Sequence, residues 1–180
     1  MTLARSAAEL ADVAARLDEI ALGPVVEAIL GARRVMLYGC GREGLLMQAL
    51  AMRLHHLGRV VCMQGDMAAF RLGPGDLFLC AAGPGELATA SALCGVARAA
   101  GARVLVVTAE PDGVTARMAD ELLVIPAQTM ARDIGDASVL PMGSLFEGAM
   151  FLAFEVLVLR LRDALGETPE SMRGRHTNME

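Results

Sequence analysis

Five short apolar runs, at residues 34–38, 60–63, 76–81, 104–108 and 122–125, restrict this chain more than any other feature. They are continuous rather than alternating, the pattern of strands covered on both faces. Segments of helical period lie between them at residues 44–57, 86–100 and 114–119, the first two stopped by Gly58 and Gly101. Strand–helix–strand alternation predicts a parallel sheet with right-handed crossovers and helices on both sides. The expected fold is α/β, a three-layer αβα sandwich around a five-stranded parallel sheet.

Helices flank this core. Leu3, Leu10, Val13, Leu17 and Ile20 recur at helical spacing over residues 2–22, with Asp12 and Arg16 as an i,i+4 pair. Gly23-Pro24 ends that helix and opens a second, to about residue 30. Residues 126–143 form a long connection, a length that in a compact domain often carries function. Residues 144–165 are apolar on nearly every side, so this helix needs cover all round, which points to a subunit interface. The 180 residues suit one domain: N-terminal helices over 1–31, a core over 32–126, and a C-terminal helix and tail over 143–180.

Composition removes several function classes. The net charge is −5, no basic run tracks a nucleic-acid backbone, and aromatic residues are 3%, too few for stacking platforms. All 16 basic residues are Arg, which excludes a Schiff-base lysine and a P-loop lysine. Cys40, Cys62, Cys80 and Cys94 have no metal-ligand spacing and read as small hydrophobes in a reduced, cytoplasmic protein. No signal peptide is expected, and the apolar runs are too short and too charged to span a bilayer.

Chemistry concentrates in two glycine turns. The first strand runs into Gly39-Cys40-Gly41-Arg42-Glu43-Gly44, a G-x-G-x-x-G before a helix. Such a turn lets a ligand approach the backbone and offers free N–H groups to an anion. A dinucleotide site is one reading, with Asp66 as the ribose acid, but the chain leaves little room for a substrate domain. A purely structural tight turn is another. The third strand ends in Ala82-Gly83-Pro84-Gly85-Glu86-Leu87, again before a helix. Two glycine turns at the carboxyl ends of two strands resemble SIS (sugar isomerase) domains.

The resemblance extends along the chain. It includes Met52-Arg53-Leu54-His55-His56-Leu57-Gly58, Gly75-Asp76-Leu77, and Pro111-Asp112 with Ala119-Asp120. Pro141-Met142-Gly143-Ser144-Leu145-Phe146-Glu147 is similar to P-L-G-[ST]-x-F-E, and the tail from Met172 to Glu180 to a terminal R-H-A-N-L-E. These last two segments are selective for 6-phospho-3-hexuloisomerases. The resemblance implies a flavodoxin-like SIS fold, a ketose isomerase moving a carbonyl from C3 to C2 of a hexulose 6-phosphate through an enediol, no cofactor, and a homo-oligomer, a tetramer. It implies Glu147 as general base, and His56 and His176 as sugar-binding or proton-shuttling groups, the tail reaching an active site across a subunit boundary. Against this, Ser144-x-x-Glu147 reads equally as a capping box, His56 as a helix-end histidine and the tail as frayed.

The anion site departs from the family. Relatives carry G-x-G-R-S, and here Glu43 replaces the Ser. Relatives carry S-G-S-G-E-T, and here Ala82, Pro84 and Leu87 replace the hydroxyl residues, Pro84 also lacking an N–H. Each lost charge-assisted hydrogen bond is worth roughly 1.5–3 kcal/mol. Arg42 and Arg53 are the expected compensators, with Arg71 reading as surface charge. An alternative is therefore a non-catalytic SIS module for a different carbohydrate-derived ligand.

Overall fold

The computed structural model describes residues 2–17, 22–132 and 138–179. Their order is α1 (Thr2–Arg16), α2 (Leu22–Gly31), β1 (Val35–Gly39), α3 (Gly41–His56), β2 (Val61–Met63), β3 (Leu77–Ala81), α4 (Ala88–Ala99), β4 (Arg103–Thr108), β5 (Glu121–Val124), α5 (Ser144–Leu165) and α6 (Pro169–Gly174). The strands form one parallel sheet in the order β2-β1-β3-β4-β5. That is the flavodoxin-like order, with its switch point between β1 and β3.

Strand residues alternate between two cores. Val35, Leu37, Leu77, Leu79, Leu105 and Val107 face a core shared with α1, α2, α3 and α5. Met36, Phe78, Cys80, Val104 and Val106 face a smaller core under α4. Both faces are covered, which explains the continuous apolar runs.

Local expectations shift in five places. Helix α1 ends at Arg16 rather than residue 22, and α2 begins at Leu22, so Gly23-Pro24 lies in its first turn rather than ending the helix before it. Helix α3 begins at Gly41 rather than residue 44, so the last two glycines of the motif lie within it. Helix α4 begins at Ala88 rather than residue 86, with Leu87 as N-cap. The segment expected as a helix over 114–119 makes only a 3-10 turn, Ala116–Met118. Helix α6, unpredicted, is set by Thr168, whose side chain accepts from the Ser171 amide in a capping box, with Pro169 in the first turn. Ile20 lies outside the described residues.

Helix α5 has the expected bounds but is not covered all round. One face, including Phe146, Met150, Leu157 and Leu161, is buried. Phe151, Leu152 and Leu159 are 48%, 43% and 47% exposed. No helix among the described residues is long and apolar enough to cross a membrane.

Candidate functional site

Helices α3 and α4 leave neighbouring strands β1 and β3 toward opposite cores, so a crevice opens between the two turns at the sheet's carboxyl edge. In the first turn, a Cβ on Gly44 would stand 2.6 Å from the Gly39 carbonyl oxygen, so glycine there lets α3 pack on its strand. Cys40, extended, is the N-cap and makes no side-chain cap bond. Glu43 falls in the first turn of α3.

Four donors of the second turn are spent internally. The Ala82 amide donates to Val107 O at 2.9 Å, Gly85 to Ala82 O at 2.8 Å, and Leu87 to Thr115 Oγ1 at 3.2 Å. Pro84 has no N–H. The Gly83 amide donates to Glu43 Oε2 at 3.0 Å. The side chain of Glu43 therefore holds a position that an anion on this turn would take. A Cβ on Gly83 would meet Glu43 Oε1 at 2.6 Å and the Phe146 ring at 2.8 Å, so the bridge requires glycine there. Ala82 is buried, Glu86 is exposed, and Gly85 packs against Glu110 and Gly113.

The third wall comes from the long connection and the start of α5. Glu9 of α1 fixes its return, accepting from Ser138 Oγ at 2.6 Å and the Val139 amide at 3.1 Å. Gly143, at φ +84°, is the N-cap of α5, and Ser144 is already helical. The capping-box reading of Glu147 is thus overturned, since α5 has no side-chain cap. Glu147 instead pairs with Arg42, Nε to Oε1 at 3.1 Å and Nη2 to Oε2 at 2.8 Å. Arg42 also donates to Ser144 Oγ at 3.0 Å and Met142 O at 3.1 Å.

These elements enclose a cavity of about 410 Å³, walled by Gly41, Arg42, Glu43, Pro84, Thr129 and Glu147 among others. Burial pushes the Glu43 carboxyl up to about 7; the Gly83 amide opposes this and the Glu147 charge adds to it. Burial also raises Glu147, against the pull of Arg42. Thr129 was not anticipated: it is 2% exposed, and its Oγ1 has no hydrogen-bond partner among the described residues. Only its place in a long connection could have suggested it.

His56, His176 and Arg53 stand elsewhere. Glu43 and His56 occupy opposite ends of α3, about 20 Å apart along its axis at 1.5 Å per residue. His56 is 8% exposed, and its Nε2 lies 3.1 Å from His176 Nδ1. The frayed-tail reading fails because Arg175 donates to His56 O at 2.7 Å and pairs with Glu167. Arg53 reaches Glu155 at 3.5 Å. The three line a second hollow of about 460 Å³ beside Met52 and Leu159. Within one chain they do not meet Glu147. Asp66 caps its own turn, accepting from the Met63 amide at 2.9 Å, and is exposed, away from the G-x-G-x-x-G crevice. Among the described residues no group of three or more His, Cys, Asp or Glu could hold a metal ion.

Known proteins match this arrangement. The 3-hexulose-6-phosphate isomerase of Mycobacterium gastri is 34% identical over 172 residues, 96% of this chain and 86% of that protein. The protein of the same name from Bacillus subtilis is 28% identical, covering 96% of this chain and 94% of its own. A hypothetical protein of Methanococcus jannaschii, whose crystal structure was taken to infer a 3-hexulose-6-phosphate isomerase function, superposes with a TM-score of 0.86 at 19% identity, over 99% of this chain and 98% of that one. The SIS domain model matches residues 28–145, from α2 through both glycine turns to the start of α5. By sequence and by the placement of its two turns, the chain belongs to the SIS domain family.

Proposed function

We propose that the chain is a sugar-phosphate isomerase that converts a hex-3-ulose 6-phosphate to fructose 6-phosphate. The observation that carries this reading is Glu147, a half-buried carboxylate clamped by Arg42 on the wall of the switch-point cavity. The two relatives named 3-hexulose-6-phosphate isomerase support it.

The chemistry moves one proton between carbons. Glu147 takes the proton from C2 while the C3 carbonyl oxygen gains one, giving a 2,3-enediol. Return of the carbon-bound proton to C3 and loss of the O2 proton leave the carbonyl at C2. A raised carboxyl is a stronger base than an ordinary one, which suits abstraction beside a carbonyl. The free N–H groups at the start of α3 suit the phosphate.

His56, His176 and Arg53 serve this reaction in an oligomer, a tetramer in our reading. Exposed Met52 and Leu159 border their hollow, and Phe151 and Leu152 extend the apolar surface along α5. Burying that surface against a second copy brings one chain's histidine pair toward another's Glu147. The four free thiols are consistent with a cytoplasmic site of action.

The test is a coupled assay for fructose 6-phosphate formation by the native chain and by Glu147→Gln. The expected result is turnover that falls by about 10²–10⁴ in the variant. Absence of turnover in the folded native chain, or equal turnover by the variant, contradicts the proposal.

A further inference from the structure

The cavity offers an anionic ligand an unusual set of partners. Ala82, Gly83, Gly85 and Leu87 of the second turn all donate within the protein, and Pro84 has nothing to donate. Arg42 is committed to Glu147, Ser144 and Met142. One side chain on the wall has spare capacity. Glu43 lines the cavity and uses Oε2 to accept from Gly83, which leaves Oε1 for a ligand.

A carboxylate at the mouth of an anion site would repel a phosphate, but a carboxylic acid there donates an O–H. A carboxyl can keep one oxygen on the Gly83 amide and give a proton from the other.

We infer that Glu43, in its protonated form, is a hydrogen-bond donor to the ligand's phosphate in this chain, beside the free N–H groups of α3, so that binding takes up a proton. The inference rests on the sugar-phosphate reading above and adds the residue and the proton to it. The surroundings favour the acid form. Glu147 faces Glu43 from α5 with a like charge that Arg42 only partly offsets. The Cys80 thiol behind it on β3 is held far up by its bond with Cys94 and by burial, and stays neutral. Burial of Glu43 itself acts in the same direction.

The probe is fructose 6-phosphate, titrated by calorimetry between pH 7 and 9, where a phosphate monoester with a second pKa of about 6 is already a dianion. For the native chain, affinity should fall toward tenfold per pH unit above 7, with proton uptake visible as a dependence on buffer ionisation heat. Glu43→Gln keeps an acceptor for Gly83 and a donor for phosphate. It should bind at pH 9 at least tenfold more tightly than the native chain, with no pH slope. Glu43→Ser, which removes the carboxyl, should also lose the slope.

A native affinity that is flat with pH, or a slope that survives in Glu43→Gln, overturns the role of Glu43. In that case binding with turnover leaves the isomerase reading standing. If no folded form binds the sugar phosphate at any pH, that reading falls and this inference with it.

Discussion

Arg42 grips Glu147 with two prongs, Nε to Oε1 at 3.1 Å and Nη2 to Oε2 at 2.8 Å. The pair ties the first turn of α3 to the first turn of α5, across residues far apart in the chain. A planar guanidinium fixes both oxygens of a carboxylate, whereas an ammonium holds one point. Arg42 also anchors the loop before α5 through Met142 O. It is therefore a positioning residue for Glu147, the base in our proposal.

Arg42→Lys should not rescue what Arg42→Ala loses. Both variants should lower kcat by about 10–100-fold with a smaller change in KM, since orientation of the base matters most in the transition state. The Arg42 charge pulls the Glu147 carboxyl down against burial. Its removal should therefore move the acid limb of the pH–rate profile upward in Arg42→Ala. Steady-state kinetics across pH checks this, and an unmoved limb would mean that the pair does not set the basicity of Glu147.

Glu43 has a consequence for stability as well. Its carboxyl rises from an ordinary 4.5 to about 7 on folding, chiefly through burial. The folded chain then holds more protons than the unfolded chain between those values, so stability falls as pH rises through the window and levels off above it. At 1.36 kcal/mol per unit the cost at pH 8 is on the order of 3 kcal/mol. Glu43→Gln avoids that cost. Its melting temperature should exceed that of the native chain at pH 8, and the difference should close toward pH 4.5. A difference that is constant with pH would mean that Glu43 is ionised in the folded protein throughout.

Much of this fold was legible because continuous apolar strands and helical segments alternate, and few architectures satisfy that order. The length of α5 was legible from its apolar run. The incomplete cover of α5 was not, because periodicity reports how apolar a face is and not whether one chain suffices to bury it. The two turns and Glu147 could be placed at the site from motifs. The partners of Glu43 and Arg42 could not, because Gly83 and Glu147 lie 40 and 105 positions away in the chain. Those contacts exist only after β3 and α5 have packed. The same limit hid the distance between His56 and Glu147: a motif gives residue types, while the length of α3 separates His56 from Arg42, the residue that grips Glu147. Thr129 carried no signal beyond its loop, since an orphan hydroxyl is defined by what surrounds it.

Asp76 provides a stability test away from the cavity. It opens β3 at the opposite edge of the sheet, buried, and accepts from Arg33, Arg34 and the Gly73 amide at 2.7–3.1 Å. The Arg34 guanidinium, which also stacks over the Phe70 ring at 4.3 Å, holds the Asp76 carboxyl far below the usual range, with Arg33 adding to it. A depressed folded value means stability that is present above the unfolded pKa of about 3.9 and lost as pH falls below it. Asp76→Asn should cost about 2–3 kcal/mol at pH 7, less than a fully buried pair because both arginines reach solvent. Urea unfolding should show the gap between variant and native chain shrinking below pH 4. The kcat of the folded variant should be retained, because Asp76 and Glu147 lie at opposite edges of the sheet. Loss of turnover without loss of stability would show that the two edges are coupled in a way this packing does not provide.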